Sequence, residues 1–203
     1  MRQRERFKAR ADEPLVGDLD LARVLDDVPP DFTVKGMFFP RLATAVGDAW
    51  SVVARDLRGP PSAPNRYHAF EPYPMVDYLR LVDAVARTRF PKAAREGYRI
   101  LSRGELEVFG ESTLGKVTLA LLRDPAAMLL RYPDVASVLM HGPKISATKI
   151  ADRHVRVVYD RVVGSTEAVL GLLESMVLVF EFSPTIDVDI DGERHATFEV
   201  VWS

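Results

Sequence analysis

The chain has 203 residues, of which 47% are hydrophobic and 28% charged. That balance excludes a disordered chain and suits one proper core, since a chain of this length buries roughly 70% of its unfolded surface. It has no cysteine and a net charge of −2, which excludes disulfides and thiolate chemistry, fits a reducing cytoplasm, and gives no global pull toward nucleic acid or anionic lipid.

The first ten residues, Met1 to Arg10, are basic, but no apolar signal core follows them. They read as a solvated tail. Asp12, Glu13, Asp18, Asp20, Asp26, Asp27 and Asp31 then cancel part of the basic field. Residues 1–30 are therefore expected to form a basic, then acidic, partly flexible extension, and residues 31–203 a single domain. Pro29-Pro30 and Pro60 to Pro64 read as loops. No apolar run approaches the roughly 20 residues that span a bilayer; the longest, Met176 to Phe180, is flanked by Glu174 and Glu181.

Helical spacing dominates the first half. A pair of helices is expected between Lys35 and Leu57, divided near Gly47. Pro74 suits the start of another, in which Met75, Leu79, Val82 and Ala86 recur every three or four residues. After Pro91 one helix is expected from Lys92 to Leu106. Ser112 suits an N-cap for Leu114, Val117, Leu121 and Leu122, and Asp124-Pro125 opens a short helix closed by Tyr132-Pro133.

The period changes after Lys144. Val155, Val157 and Tyr159 alternate with polar neighbours, and residues 145–149 suit a hairpin partner across Ala151-Asp152-Arg153. Gly164-Ser165 breaks the strand, and Val169, Leu172, Leu173, Met176 and Val177 form a helical stripe. Ile186, Val188 and Ile190, the turn signal Asp191-Gly192, and Phe198, Val200 and Trp202 make the clearest hairpin. The fold predicted is α+β: a helical N-terminal half packed on a four-stranded antiparallel sheet, with a C-terminal β-β-α-β-β order.

Few residues suggest chemistry. His68, His141, His154 and His195 form no pair at metal-ligand spacing. Asp187, Asp189 and Asp191 alternate along one strand, as an exposed face would. No serine sits in a nucleophile elbow. Gly110 to Val117 carries the frame of a phosphate-binding loop through Gly110, Gly115 and Lys116, after a segment, Leu106 to Phe109, that would pass for a strand. Val117, however, stands where a hydroxyl must coordinate Mg²⁺. Nucleotide or phosphate binding is thus the alternative to a non-enzymatic function.

The segments Phe32 to Phe39, Ser112 to Lys116 and Val201-Trp202 resemble a myxobacterial family of about 200 residues and unknown function. More distantly, the β-β-α-β-β tail with Gly164, Val169 and Gly171 is similar to three groups: haem–nitric-oxide-binding domains, vinyl-4-reductase-type small-molecule-binding domains, and Bet3-like subunits of vesicle tethers. That resemblance implies helices on a four-stranded antiparallel sheet. Its haem-binding members imply an axial histidine in the helical half, yet none occurs between Ala69 and Met140. They also imply a Tyr-x-Ser-x-Arg motif, and registering on Gly164 puts Val158, Asp160 and Val162 there. Haem is disfavoured, and no cofactor or metal is expected.

The leading expectation is a haem-free binding module in the cytoplasm, either a sensor of an apolar small molecule or an adaptor for a protein partner or a second copy. In a sensor, Tyr78, Leu79, Val82, Leu172 and Met176 would wall the cavity, or else fill a solid core. In an adaptor, Phe38, Phe39, Trp50 and Tyr73 would gather into a surface patch.

Overall fold

The computed structural model describes residues 5–26, 28–58, 66–191 and 195–203, the side chains of residues 21–23 aside. Its strands are β1 (Glu5–Arg10), β2 (Thr33–Lys35), β3 (Pro72–Pro74), β4 (Met140–His141), β5 (Ile145–Ala151), β6 (His154–Tyr159), β7 (Pro184–Asp191) and β8 (His195–Trp202). The α-helices are α1 (Leu21–Asp26), α2 (Phe39–Val46), α3 (Trp50–Val53), α4 (Met75–Arg89), α5 (Ala94–Arg103), α6 (Glu105–Glu111), α7 (Thr113–Leu121), α8 (Pro125–Leu139) and α9 (Thr166–Leu178).

Strict alternation builds the main sheet. Val155, Val157, Ile186, Val188, Phe198 and Val200 are all buried, because a period of two puts them on one face. The register sets Val157, Phe198 and Val188 side by side across three strands. The C-terminal order is β5-β6-α9-β7-β8, as the periodicity predicts, and every pairing is antiparallel. The turn signal at Gly192 lies outside the described residues.

A fifth strand joins these four. The sheet order is β1-β7-β8-β6-β5, so residues 5–10 are an edge strand rather than the solvated tail expected of them. On the outer face Arg6 meets Asp189 at 2.8 Å and Lys8 meets Asp187 at 3.4 Å, which accounts for the alternating aspartates. Exposed pairs of this kind contribute about 1 kcal/mol or less. Burial of Ala9, the backbone ladder to β7 and the buried arginine discussed below hold the strand more firmly. Residues 1–4 lie outside the described residues.

The helices follow their caps. Ser112 accepts a hydrogen bond from the Gly115 amide at 2.9 Å, Asp124 from Ala127 at 2.8 Å, and Ser165 from Ala168 at 3.0 Å, satisfying amides that open α7, α8 and α9. Two expectations are corrected. The single helix predicted after Pro91 is split at Gly104 into α5 and α6. Helix α8 runs straight through Tyr132-Pro133 to Leu139; burial of Leu129, Tyr132, Ala136 and Leu139 outweighs the one backbone hydrogen bond that Pro133 removes.

Two glycines set the join between helices and sheet. Gly164 has φ of 86°, a conformation that other residues adopt with strain. At Gly171 a Cβ would lie 2.0 Å from the Arg99 carbonyl oxygen, so only glycine lets α9 approach α5 this closely. A second, three-stranded antiparallel sheet, β3-β2-β4, ties the helical half together. Among the described residues no helix is long and apolar enough to cross a membrane.

Candidate functional site

Where the helical half meets the sheet, side chains do not close up completely. A cavity of about 130 Å³ remains, walled from α4, α6, α7, α8 and α9 and from Tyr159 on β6. Tyr78, Leu79, Leu172 and Met176 all line it. Val82 does not; it is 2% exposed and packs into the neighbouring core of α2 and α4. Most of the wall is apolar, with Met75, Phe109, Leu119, Met128, Val135 and Ala136 among its members. Arg131, exposed and paired with Asp134 at 2.7 Å, marks where the cavity meets solvent.

Polar groups are concentrated in one part of the wall. Ser102 lies in the last turn of α5, and three residues later Glu105 begins α6. Across from them the hydroxyls of Tyr132 and Tyr159 hydrogen-bond to each other, both side chains buried. Burial pushes the Glu105 carboxyl up to about 8 because a charge in apolar surroundings loses its hydration. Burial likewise raises both phenols above their ordinary value, so they stay neutral. The sequence singled out none of these four: Glu105 falls inside an apparent helical stripe, and Tyr132 reads as a helix end.

The aromatic residues expected on a partner surface are elsewhere. Phe39 is fully buried and stacks on Tyr67 with ring centroids 4.5 Å apart. Tyr73 and Trp50 pack edge-on against the same Tyr67 ring, at 4.9 and 6.5 Å. Phe38 is buried and lines the cavity. The surface-patch expectation is thereby corrected: Phe38 and Phe39 are buried, and Trp50 and Tyr73 are half-buried against Tyr67.

The phosphate-loop frame is corrected as well. Leu106 to Phe109 is helical, and Gly110 belongs to that same helix α6. Gly115 is buried in the first turn of α7, where a Cβ would lie 1.8 Å from the Phe109 carbonyl oxygen, and Lys116 is exposed. A tight helix–helix corner stands where a strand, a loop and a helix are required.

None of the four histidines lines the cavity, and its wall offers no imidazole or thiolate for iron. His154 instead pairs with Glu199 at 2.7 Å on the outer face of the sheet. Of the positions that register with the propionate-binding motif, Val162 is buried, Asp160 exposed and Val158 half-buried, and none lines the cavity. No group of three potential metal-ligating side chains occurs among the described residues.

This fold, helices on an antiparallel sheet, is that of the H-NOX proteins. The Fe(II) unliganded H-NOX protein from K. algicida aligns at a TM-score of 0.62 and 16% identity, over 83% of this chain and 96% of that one. A mutant H-NOX from T. tengcongensis aligns at 0.62 and 18%, over 83% and 97%. The H-NOX protein from S. oneidensis in its Fe(II)NO state aligns at 0.60 and 15%, over 83% and 99%. The likeness is one of fold. By sequence, the chain belongs to the family described as Protein of unknown function (DUF2378), which matches residues 28–203. No curated protein matches it.

Proposed function

We propose that this chain is a non-enzymatic, haem-free sensor module that takes a small apolar molecule into the cavity between its helices and its sheet. Residues 31–203 form the module, and the preceding segment supplies its edge strand. The observation that carries this reading is the cavity itself: about 130 Å³ of space behind a mostly apolar wall. A void costs stability in proportion to its volume, so an unfilled one at the join of two halves calls for a guest. An apolar cavity of about 150 Å³ engineered in another protein stays dry and binds benzene. The guest here is accordingly the size of one aromatic ring or a short alkyl chain, smaller than the occupants of pockets of about 300–1,000 Å³.

A guest at this seam touches both halves of the molecule, and so biases how the helices rest on the sheet. That is the physical basis of a sensor. The haem-free part rests on the donor set, which lacks an axial imidazole. The adaptor reading is weakened because Phe38 and Phe39 are buried and Trp50 and Tyr73 pack against Tyr67. The absence of cysteine suits a reducing cytoplasm.

Toluene at millimolar concentration should raise the melting temperature of the purified protein. Ala136→Leu, which fills the cavity from α8, should abolish that shift, and added haem should keep the broad absorption of free haem, without the sharp, shifted Soret band of a bound complex. A toluene shift untouched by Ala136→Leu, or a stoichiometric Soret band, overturns the reading.

A further inference from the structure

Among the described residues Glu105 is the one carboxylate lining the cavity. Among the described residues its only hydrogen-bond partner is the Ser102 hydroxyl, at the long distance of 3.5 Å. The basic side chains nearby are engaged or solvated. Arg131 on α8 pairs with Asp134 at 2.7 Å, Arg41 on α2 binds the Gly104 carbonyl at 3.1 Å and Glu107 at 2.9 Å, and Arg89 on α4 is exposed. The other titratable neighbours, Tyr132 and Tyr159, are committed to each other. A carboxyl in apolar surroundings is costly to ionise without a paired cation, and among the described residues none forms an ion pair with Glu105.

Together with Phe38 and Tyr78, Glu105 forms a wall shared by the inner cavity and an outer cleft between α2, α4, α5 and α6, which Arg41 and Arg89 also line.

The geometry points to a small apolar amine as the guest, its ammonium head received by Glu105 and Ser102 while its ring or chain fills the apolar part of the cavity. This rests on the cavity reading above and specifies its ligand class. An ammonium brings three donors and the positive charge that the site lacks. An alcohol of the same shape brings one donor and no charge. The proton balance is explicit. With its carboxyl near 8, empty Glu105 holds a proton at pH 7; an ammonium enters, Glu105 ionises to pair with it, and that proton leaves to solvent. Amine affinity should then rise about tenfold per pH unit up to about pH 8.

The test compares three probes of one shape, benzylamine, benzyl alcohol and toluene, by titration calorimetry at pH 7 in two buffers of different ionisation enthalpy. Benzylamine should bind at least about tenfold tighter than toluene, as a charged hydrogen bond implies, with close to one proton released. Glu105→Gln should remove that advantage and abolish the proton release. The proton count is read on the unaltered protein, so it decides even where the variant folds poorly. If toluene or benzyl alcohol binds as well as benzylamine, or no proton is released, the amine inference falls and the cavity reading stands. If none of the three binds, the cavity reading itself falls and takes this inference with it.

Discussion

The Arg99 guanidinium and the Glu174 carboxylate meet with both side chains fully buried, Nε donating to Oε2 at 2.8 Å. Arg103 donates to the same carboxylate from the next turn of α5, at 2.8 Å. The two arginines also bind the end of β1 and the chain after it: Arg99 the carbonyls of Arg10 and Glu13, Arg103 that of Ala11. Burial opposes the charge on Arg99, and the hydrogen bond and charge of Glu174 overcome it, leaving its pKa raised. One buried ion cluster thus joins α5, α9 and the N-terminal strand.

Glu174→Gln should destabilise the protein by about 3 kcal/mol, because it leaves the buried guanidinium only its longer pairing with Glu96, at 3.3 Å. Urea unfolding measures the loss. Hydrogen exchange should show the amides of Glu5–Arg10 losing protection before those of β6 and β8. A change under about 1 kcal/mol would show that the cluster does not hold the strand.

Stability should fall as pH rises from about 5 to about 8. The Glu105 carboxyl, lifted by burial to about 8, keeps its proton in the folded chain across a range where the unfolded chain has released it. The folded state therefore binds more protons there, and raising the pH favours unfolding. The contribution is on the order of 3 kcal/mol, and Glu105→Gln should flatten this part of the pH profile of urea unfolding.

Tyr132→Phe and Tyr159→Phe should each cost about 1–3 kcal/mol, since either leaves one buried hydroxyl without its partner. The double substitution should cost clearly less than the two single losses combined. Thermal melts of the four proteins complete the cycle.

Gly171→Ala should destabilise by about 1–3 kcal/mol. Its added carbon meets the Arg99 backbone carbonyl at 2.0 Å, and backbone cannot step aside as a flexible side chain can. The midpoint of urea unfolding should drop. An unchanged midpoint would mean that α5 and α9 are less tightly apposed than described here.

The amino-acid sequence by itself determined the elements whose cause is local. Alternation at Val155, Val157 and Tyr159 specifies a half-buried strand, the side chains of Ser112, Asp124 and Ser165 specify where helices begin, and Gly164 marks the passage from strand to helix. Four of the five cavity residues were legible because apolar stripes on α4 and α9 must face inward, whatever lies between them. What lies between them was decided only by the tertiary structure. Whether two stripes interlock or leave a gap depends on how closely their helices approach. Period cannot reveal that Glu105, Ser102, Tyr132 and Tyr159, drawn from four separate elements, converge on one wall. The edge strand is of the same kind: Arg6 and Lys8 read as a solvated basic tail until folding brings Asp187 and Asp189 alongside them and buries Arg99 beneath the chain that follows.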